Sequence, residues 1–290
     1  MTLMMPSDSV QAALRDLIRR FQRARTSEPG PVAEILMGRV LRCRRLEIHL
    51  HASEALTAAQ NKELERLAQR ALCGEPVQYV LGETEFMGHV FRVDRRALIP
   101  RPETELLVET ALADSELWKR DKPAVADVGT GSGCIVISLA LARSSTAYTA
   151  FDASAEALEL AQENAAALGV KRRIRFARND LLSGVPGNSL DAVVSNPPYV
   201  AVGEWERLPR HIRDCEPRLA LDGGDDGFAV VSRLVPEAWQ ALKPGGRLFM
   251  EIGEDQKAGT EARMKSAGFK KIRVLKDLAK HDRIAVGEKP

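Results

Sequence analysis

Two patterns of apolar and polar residues divide the chain. Up to about Leu81 the apolar positions recur with a helical period: Val10, Leu14, Leu17, Ile18 and Phe21 share one face, and arginines occupy the other. Pro31 suits the first turn of a second helix that continues through Val32, Ile35, Leu36 and Val40. Thr57 and Gln60 have capping-box spacing and open a third helix through Leu64, Leu67, Ala68 and Leu72, which Gly74 can close. Residues 1–82 are therefore expected to form a small helical bundle. From Glu83 to Leu98 the pattern turns to alternation (Phe86, His89-Val90-Phe91, Val93) around Gly88, which predicts a β-hairpin linker over residues 83–98. A helix from Leu106 to about Trp118 follows, with Pro102 in its first turn and Glu103 and Glu105 at its positive end.

From Ala124 strand and helix alternate. The predicted strands are Ala124–Val128, Ala147–Phe151, Ile174–Ala177, Leu190–Ser195, Arg247–Ile252, Lys271–Leu275 and Arg283–Val286. The predicted helices are Cys134–Ala142, Ala155–Leu168, Phe228–Leu242 and about Gln256–Ala267, and Lys243-Pro244-Gly245-Gly246 reads as a turn before the fifth strand. Such alternation builds a parallel sheet, so residues 99–290 are expected to form one α/β domain. The segment from Ala201 to Gly227 has no long periodic run, and connections of that length are often lids or substrate clamps. Trp205 and Leu208 could cover a bound peptide there or pack locally.

Composition narrows the function. The chain has 290 residues, of which 44% are hydrophobic and 28% charged, as in an ordinary globular protein. Its net charge of +2 argues against a broad phosphate-binding surface. Residues 1–82 carry 12 Lys/Arg against 9 Asp/Glu, an excess that fits a solvated face or a protein or RNA partner. Met1-Thr2-Leu3-Met4-Met5-Pro6 lacks the charged start and apolar core of a signal peptide, and Cys134 to Ala142, the longest apolar stretch, is too short to span a bilayer. Cys43, Cys73, Cys134 and Cys215 are scattered without a CxxC pair, so neither a metal site nor a disulfide framework is expected. A reducing cytoplasm is the expected location.

The chemistry lies where strands end. Asp127-Val128-Gly129-Thr130-Gly131-Ser132-Gly133 joins the first strand of the α/β region to a helix. Glycines there permit positive φ, and the helix start offers N–H groups to a negatively charged ligand group. The spacing is GxGxG, whereas dinucleotide sites use GxGxxG, and the GxxxxGK[ST] loop of nucleotide triphosphatases is absent. Asp152 ends the second strand where a carboxylate can accept from ribose hydroxyls, although it could equally cap the next helix, as could Ser154. After the third strand, Asp180 could accept from an adenine amino group while Leu181 packs on the ring. S-adenosylmethionine fits this set, having a ribose, an adenine, an α-carboxylate and no pyrophosphate.

The fourth strand runs into Asn196-Pro197-Pro198-Tyr199. Two prolines there cannot continue a helix or donate ladder hydrogen bonds, and they hold Asn196 extended. The product is a stiff platform with an amide oxygen, backbone carbonyls and an aromatic ring, suited to gripping a planar NH2 group. An isolated NPPY is also compatible with a proline-rich turn around a buried tyrosine.

Pro76-Val77-Gln78-Tyr79, Leu98 through Glu105 (LIPRPETE), Asp127 through Cys134 (DVGTGSGC), Ser195 through Tyr199 (SNPPY) and Glu251-Ile252-Gly253 together resemble the bacterial release-factor glutamine methyltransferases, the HemK/PrmC-type protein-(glutamine-N5) methyltransferases. The resemblance runs from about residue 10 to the C-terminus and includes Glu216-Pro217 and Gly223 to Gly227. It implies a helical substrate-recognition domain followed by a seven-stranded Rossmann-like class I methyltransferase domain whose last strand is antiparallel. It further implies methyl transfer from S-adenosyl-L-methionine to the glutamine of the Gly-Gly-Gln motif in peptide-chain release factors. Carried over by position, cofactor binding falls on Gly129, Thr130, Gly131, Ser132, Gly133, Asp152, Leu181 and Asn196, with Asp180 added. Catalysis and substrate binding fall on Asn196, Pro197, Pro198 and Tyr199. Some relatives have an aromatic residue at the Leu181 position; leucine keeps an apolar wall without ring stacking. Arg101 and Glu103 are expected at the cofactor mouth, although a helix N-terminus would also explain Glu103.

Three other readings compete. NPPY could serve a methyltransferase acting on an exocyclic amine of DNA or RNA, since adenine also presents a conjugated NH2. The low net charge and the helical front region favour a protein substrate, with no direct nucleic-acid substrate, membrane or metal expected. A ribosomal-protein glutamine methyltransferase is a closer rival. A regulatory module that binds cofactor without catalysis is the third, and the intact Gly loop, Asp152 and NPPY speak against it.

Overall fold

In a computed structural model of the chain, residues 9–290 are described; Met1–Pro6, read above for a leader, lie outside that range. The chain divides into two compact units. The first holds the residues up to Gly82 and takes in Arg210–Cys215, and the second holds the rest from Glu83.

The first unit is helical. Helix α1 (Val10–Arg23) starts at Ser9, whose hydroxyl accepts from the Ala12 N–H at 3.2 Å. Helix α2 (Pro29–Leu41) opens on proline, where the missing N–H costs nothing. Helix α3 (Ala58–Leu72) carries the Thr57–Gln60 capping box and gives way to Gly74 at φ +89°. A 3-10 segment (Arg45–His51) and the short helix α4 (Val77–Leu81) were not legible as periodic runs. Leu14, Leu17, Phe21, Leu36, Met37 and Leu67 form the core. Arg20 ties α1 to α3 through two hydrogen bonds to Glu65 at 2.7 and 2.8 Å.

The second unit opens with a hairpin, β1 (Glu83–Phe86) and β2 (His89–Arg92). Met87 and Gly88 both have positive φ, +51° and +73°, the two-residue turn whose twist matches antiparallel strands. The helix expected to reach Trp118 is broken in two. Helix α5 (Pro102–Leu112) stops, and Asp114 caps a new short helix, α6 (Ser115–Trp118), by accepting from the Leu117 N–H at 3.0 Å. The remaining elements are β3 (Ala124–Val128), α7 (Cys134–Ala142), β4 (Ala147–Asp152), α8 (Ala155–Ala167), β5 (Ile174–Arg178) and β6 (Leu190–Ser195). Then come the helical turn α9 (Arg210–Arg213), which belongs to the first unit, α10 (Ala229–Ala241), β7 (Leu242–Glu251), α11 (Lys257–Ala267), β8 (Lys270–Lys276) and β9 (Asp282–Glu288).

The sheet has seven strands in the order β5-β4-β3-β6-β7-β9-β8, and β9 alone runs against its neighbours. This is the α/β class I architecture, with its last strand antiparallel, that the family resemblance implies. One local expectation fails: Lys243-Pro244-Gly245-Gly246 lies inside β7 as a bulge. The pairing with β6 jumps from Leu190↔Leu242 to Ala192↔Arg247. Gly245 adopts φ +72°, and such an insertion re-aims a strand without ending it.

Helix α7 is apolar on every side and buried along nearly its whole length, as a helix in a core must be. The hairpin is anchored by Asn164 on α8, which is 1% exposed. Its Oδ1 accepts from the Arg92 N–H at 2.8 Å, and its Nδ2 donates to the carbonyls of Arg92 (3.1 Å) and Ser132 (2.9 Å). Among the described residues no helix is long and apolar enough to cross a membrane. Asn164→Ala strands these backbone groups without water and should lower unfolding free energy by about 2–4 kcal/mol, measured by urea titration.

Candidate active site

The strand order places the chemistry. From β3 the chain moves one way to β4 and β5, then crosses back to lay β6 on the other side of β3. Such a reversal opens a crevice at the carboxyl ends of the strands. Val128 pairs with Ser195 in parallel register, so the Gly loop after β3 and Asn196 after β6 leave the sheet side by side. Ser195 Oγ fastens the two exits by donating to the Val128 carbonyl at 2.7 Å. Asp152 ends β4 next door, and Asp180 and Leu181 follow β5 beyond it. The sequence-predicted site residues thus emerge at one end of four adjacent strands.

In the loop, Gly129, Gly131 and Gly133 adopt φ of +74°, +54° and +81°. A Cβ on Gly129 would meet nothing within 4 Å, and one on Gly131 only Ala97 at 3.8 Å, so these two face open space. At Gly133 a Cβ would lie 2.9 Å from Ile137 and 3.0 Å from Ala161, so this glycine lets α7 and α8 approach. Thr130 Oγ1 donates to Asp127 at 2.7 Å, and Ser132 is buried. Asp127 is fully buried, and its Oδ2 also accepts from the Val136 N–H at 3.2 Å, while Oδ1 has no partner. Burial pushes its carboxyl up to about 7.

Asp152 braces the loop, its carboxylate accepting from the Gly131 N–H at 2.8 Å and the Ser154 N–H at 2.9 Å. Burial raises its pKa above the usual carboxylate value. Ser154 is the residue that caps α8, its hydroxyl accepting from the Ala157 N–H at 3.1 Å. Asp180 is exposed and ion-paired with Arg233 at 2.7 Å. Leu181 adopts φ +50° and packs against the core while Asn179 Nδ2 donates to its carbonyl at 2.9 Å.

Asn196 and Tyr199 are half-buried and Pro197 is buried. The turn is clasped from the far side by close backbone. The Gly223 N–H donates to Val200 at 2.8 Å, and a Cβ on Gly223 would come within 2.8 Å of the Tyr199 carbonyl carbon. A Cβ on Gly227 would lie 2.5 Å from the Tyr199 backbone carbonyl oxygen. Gln256 locks the assembly. Its Nε2 donates to the carbonyls of Tyr199 and Gly227, both at 3.1 Å, and its Oε1 accepts from the Gly253 N–H.

Beneath Asn196, its Nδ2 donates to Thr104 Oγ1 at 3.2 Å, and that hydroxyl donates to Glu251 Oε2 at 2.7 Å. Thr104 is 2% exposed and Glu251 1% exposed. Burial pushes the Glu251 carboxyl up to about 7 against the pull of the Thr104 hydrogen bond and of Arg283 and Arg101. Burial and nearby Glu251 likewise push the Tyr199 hydroxyl up to about 12. Arg101 directly precedes α5 without a capping hydrogen bond, and it pairs with the buried carboxylate of Glu216, which also accepts from the Ile99 N–H at 3.2 Å. Glu103 sits exposed in the first turn of α5. Trp205 is half-buried, with the guanidinium of Arg218 5.1 Å from its ring centre.

Sequence reasoning assigned no role to Thr104, Glu216, Glu251 or Gln256. Glu251 carried a usable signal: a carboxylate in the otherwise apolar run Leu248-Phe249-Met250-Glu251-Ile252 must find a buried partner.

Comparison with known proteins fits both units. The PrmC N-terminal domain profile matches residues 12–82, and the methyltransferase small domain profile matches residues 102–224. A release factor glutamine methyltransferase of Chlorobaculum tepidum is 42% identical over 282 residues, covering 95% of each chain. One from Koribacter versatilis is 39% identical over 284 residues, covering 97% of this chain and 99% of its own. The chain belongs to the release factor glutamine methyltransferase family. A solved methyltransferase of Pyrococcus furiosus superposes with a TM-score of 0.53 at 18% identity, covering 79% of this chain and 98% of that one, which speaks to the fold alone. The family's cofactor is S-adenosylmethionine, and the residues present fit it. The open glycine loop has room for an amino-acid group, and the Asp152 carboxylate stands beside it at a strand end with lone pairs left for hydroxyls.

The buried acids have a measurable consequence. The Glu251 carboxyl titrates near 4.5 when unfolded and near 7 when folded, so between those values the folded chain binds more protons. Stability contributed this way is complete below about pH 4.5 and is lost as pH rises through about 7. Urea midpoints should fall from pH 5 to pH 8 in the parent, and Glu251→Gln should flatten that fall.

Proposed function

We propose that the chain transfers the methyl group of S-adenosylmethionine to the side-chain amide nitrogen of the glutamine in the Gly-Gly-Gln motif of peptide-chain release factors. The observation that carries this reading is the pairing of Val128 with Ser195, which sets an amide-gripping platform directly beside a cofactor loop. Full-length similarity to release factor glutamine methyltransferases supports the choice of substrate. A net charge of +2 favours protein over nucleic acid as the partner. The helical first unit is the recognition module in this reading, and the place of action is the cytoplasm.

A glutamine amide nitrogen is a poor nucleophile because its lone pair is delocalised into the carbonyl. S-adenosylmethionine would supply a sulfonium-activated methyl and leave as S-adenosylhomocysteine, and the methylated nitrogen sheds one proton to water after transfer, so no strong base is required of the protein. The protein's task is orientation. Asn196 Oδ1, which has no partner among the described residues, and the Pro197 carbonyl accept the two amide hydrogens. These contacts turn the nitrogen toward the methyl donor and stabilise positive charge as it develops there. Tyr199 packs on the amide plane with its hydroxyl protonated, since its pKa near 12 keeps it neutral at physiological pH. The Asp152 carboxylate holds the ribose hydroxyls, and the Gly129 to Gly133 loop holds the amino-acid end.

The test combines purified protein, methyl-labelled cofactor, a release factor and its Gln→Ala variant in the Gly-Gly-Gln motif. Label should enter the first protein and not the second. Label entering duplex DNA or a ribosomal protein instead would refute the assignment. Asn196→Ala should lower kcat about 100-fold or more while cofactor affinity changes little. Asp152→Ala should do the reverse, weakening cofactor binding at least about tenfold by calorimetry, the loss of a charged hydrogen-bond acceptor.

A further inference from the structure

A side-chain amide is nearly symmetric in shape but opposite in hydrogen bonding at its two ends. For Asn196 to grip an NH2 group, its oxygen must face the substrate; turned over, it would set N–H against N–H. Something must hold it one way. The prolines fix the backbone but exert no control over rotation about the last side-chain bond.

Thr104 supplies that control. Its hydroxyl has one hydrogen, and with Glu251 in its carboxylate form that hydrogen is committed to Glu251 Oε2 at 2.7 Å. Only lone pairs then remain toward Asn196, 3.2 Å away, so the asparagine must offer its Nδ2 inward and its Oδ1 outward. Thr104 and Glu251 are almost wholly buried, so water does not compete for the bond between them. Both are also rigidly mounted, Thr104 in the first turn of α5 and Glu251 in β7, where it pairs with Ile284 of β9. β7 in turn pairs with β6 through Met250 and Ser195, one residue before Asn196. Burial favours the neutral Glu251 carboxyl, and the Thr104 hydrogen bond, Arg283 and Arg101 pull it back toward the carboxylate that accepts.

We propose that Thr104 and Glu251 are positioning residues for methyl transfer, forming a one-way hydrogen-bond relay that fixes the Asn196 amide with its oxygen toward the substrate. The relay rests on the amide-methylating reading above and adds to it the groups that decide whether Asn196 can work.

The experiment measures steady-state methylation of a release factor, cofactor affinity by calorimetry and thermal unfolding for Thr104→Val, Thr104→Ser, Glu251→Gln and Asn196→Ala. Thr104→Val keeps shape and removes the hydroxyl, and kcat should fall about 10- to 100-fold, with cofactor affinity within about threefold of the parent. Thr104→Ser restores the hydroxyl and should recover most of the lost turnover, which a merely structural role for Thr104 would not require. Glu251→Gln offers Thr104 a hydrogen as readily as a lone pair and should lower kcat severalfold with cofactor binding intact. Parent-like turnover in Thr104→Val alongside an inactive Asn196→Ala would overturn the relay and leave the amide reading standing. Equal impairment of Thr104→Ser and Thr104→Val would also overturn it, assigning the loss to packing. Parent-like turnover in Asn196→Ala would overturn the amide reading and the relay together.

Discussion

The chain leaving β6 is not free to bend, and the site is built on that stiffness. Pro197 and Pro198 fix the backbone at the point where a buried strand reaches the surface. Gly223 and Gly227 bring a second stretch of backbone so close that neither position has room for a Cβ. Gln256 then joins Tyr199, Gly227 and Gly253 with one side chain. In the proposed reaction, a platform held this firmly presents its oxygens already oriented toward the nitrogen on which charge develops.

The sheet provides the second part of the design. Placing β6 beside β3 puts the platform and the glycine loop at neighbouring strand ends, with the Ser195 hydroxyl stapling the exits together. The same arrangement buries acids. Asp127 and Glu251 lie under the loop and the platform respectively, each held in place by a threonine hydroxyl and each pushed toward neutral pH by burial. Burying carboxylates costs stability. Here they hold the two parts of the site in position: Asp127 through Thr130 and Val136, and Glu251 through Thr104.

Much of this was legible in the residues. β3, β6 and α7 begin and end where apolar runs and glycine loops predict, because each is buried along nearly its whole length and has no competing pattern. The break between α5 and α6 was not, because the apolar pattern continues across it while Asp114 diverts the backbone by capping a new turn. The Lys243–Gly246 segment carries every mark of a turn, yet pairing on both sides absorbs it into β7 as a bulge. Arg210–Cys215, within the long aperiodic segment, falls with the helical unit, which no local pattern announces. The candidate site residues were visible as motifs, but their supports were not: Thr104 and Asn196 lie 92 positions apart, and Thr104 and Glu251 lie 147 apart. Only the folded sheet brings them together.

The central claim is that Asn196 presents its amide oxygen to a flat NH2 group next to the methyl donor. A crystal structure of the chain with S-adenosylhomocysteine and a peptide containing Gly-Gly-Gln tests it most directly. The account predicts the glutamine amide nitrogen about 3 Å from both Asn196 Oδ1 and the Pro197 carbonyl, with Asn196 Nδ2 still on Thr104. A glutamine side chain bound elsewhere, or Asn196 turned with its nitrogen toward the peptide, would contradict it.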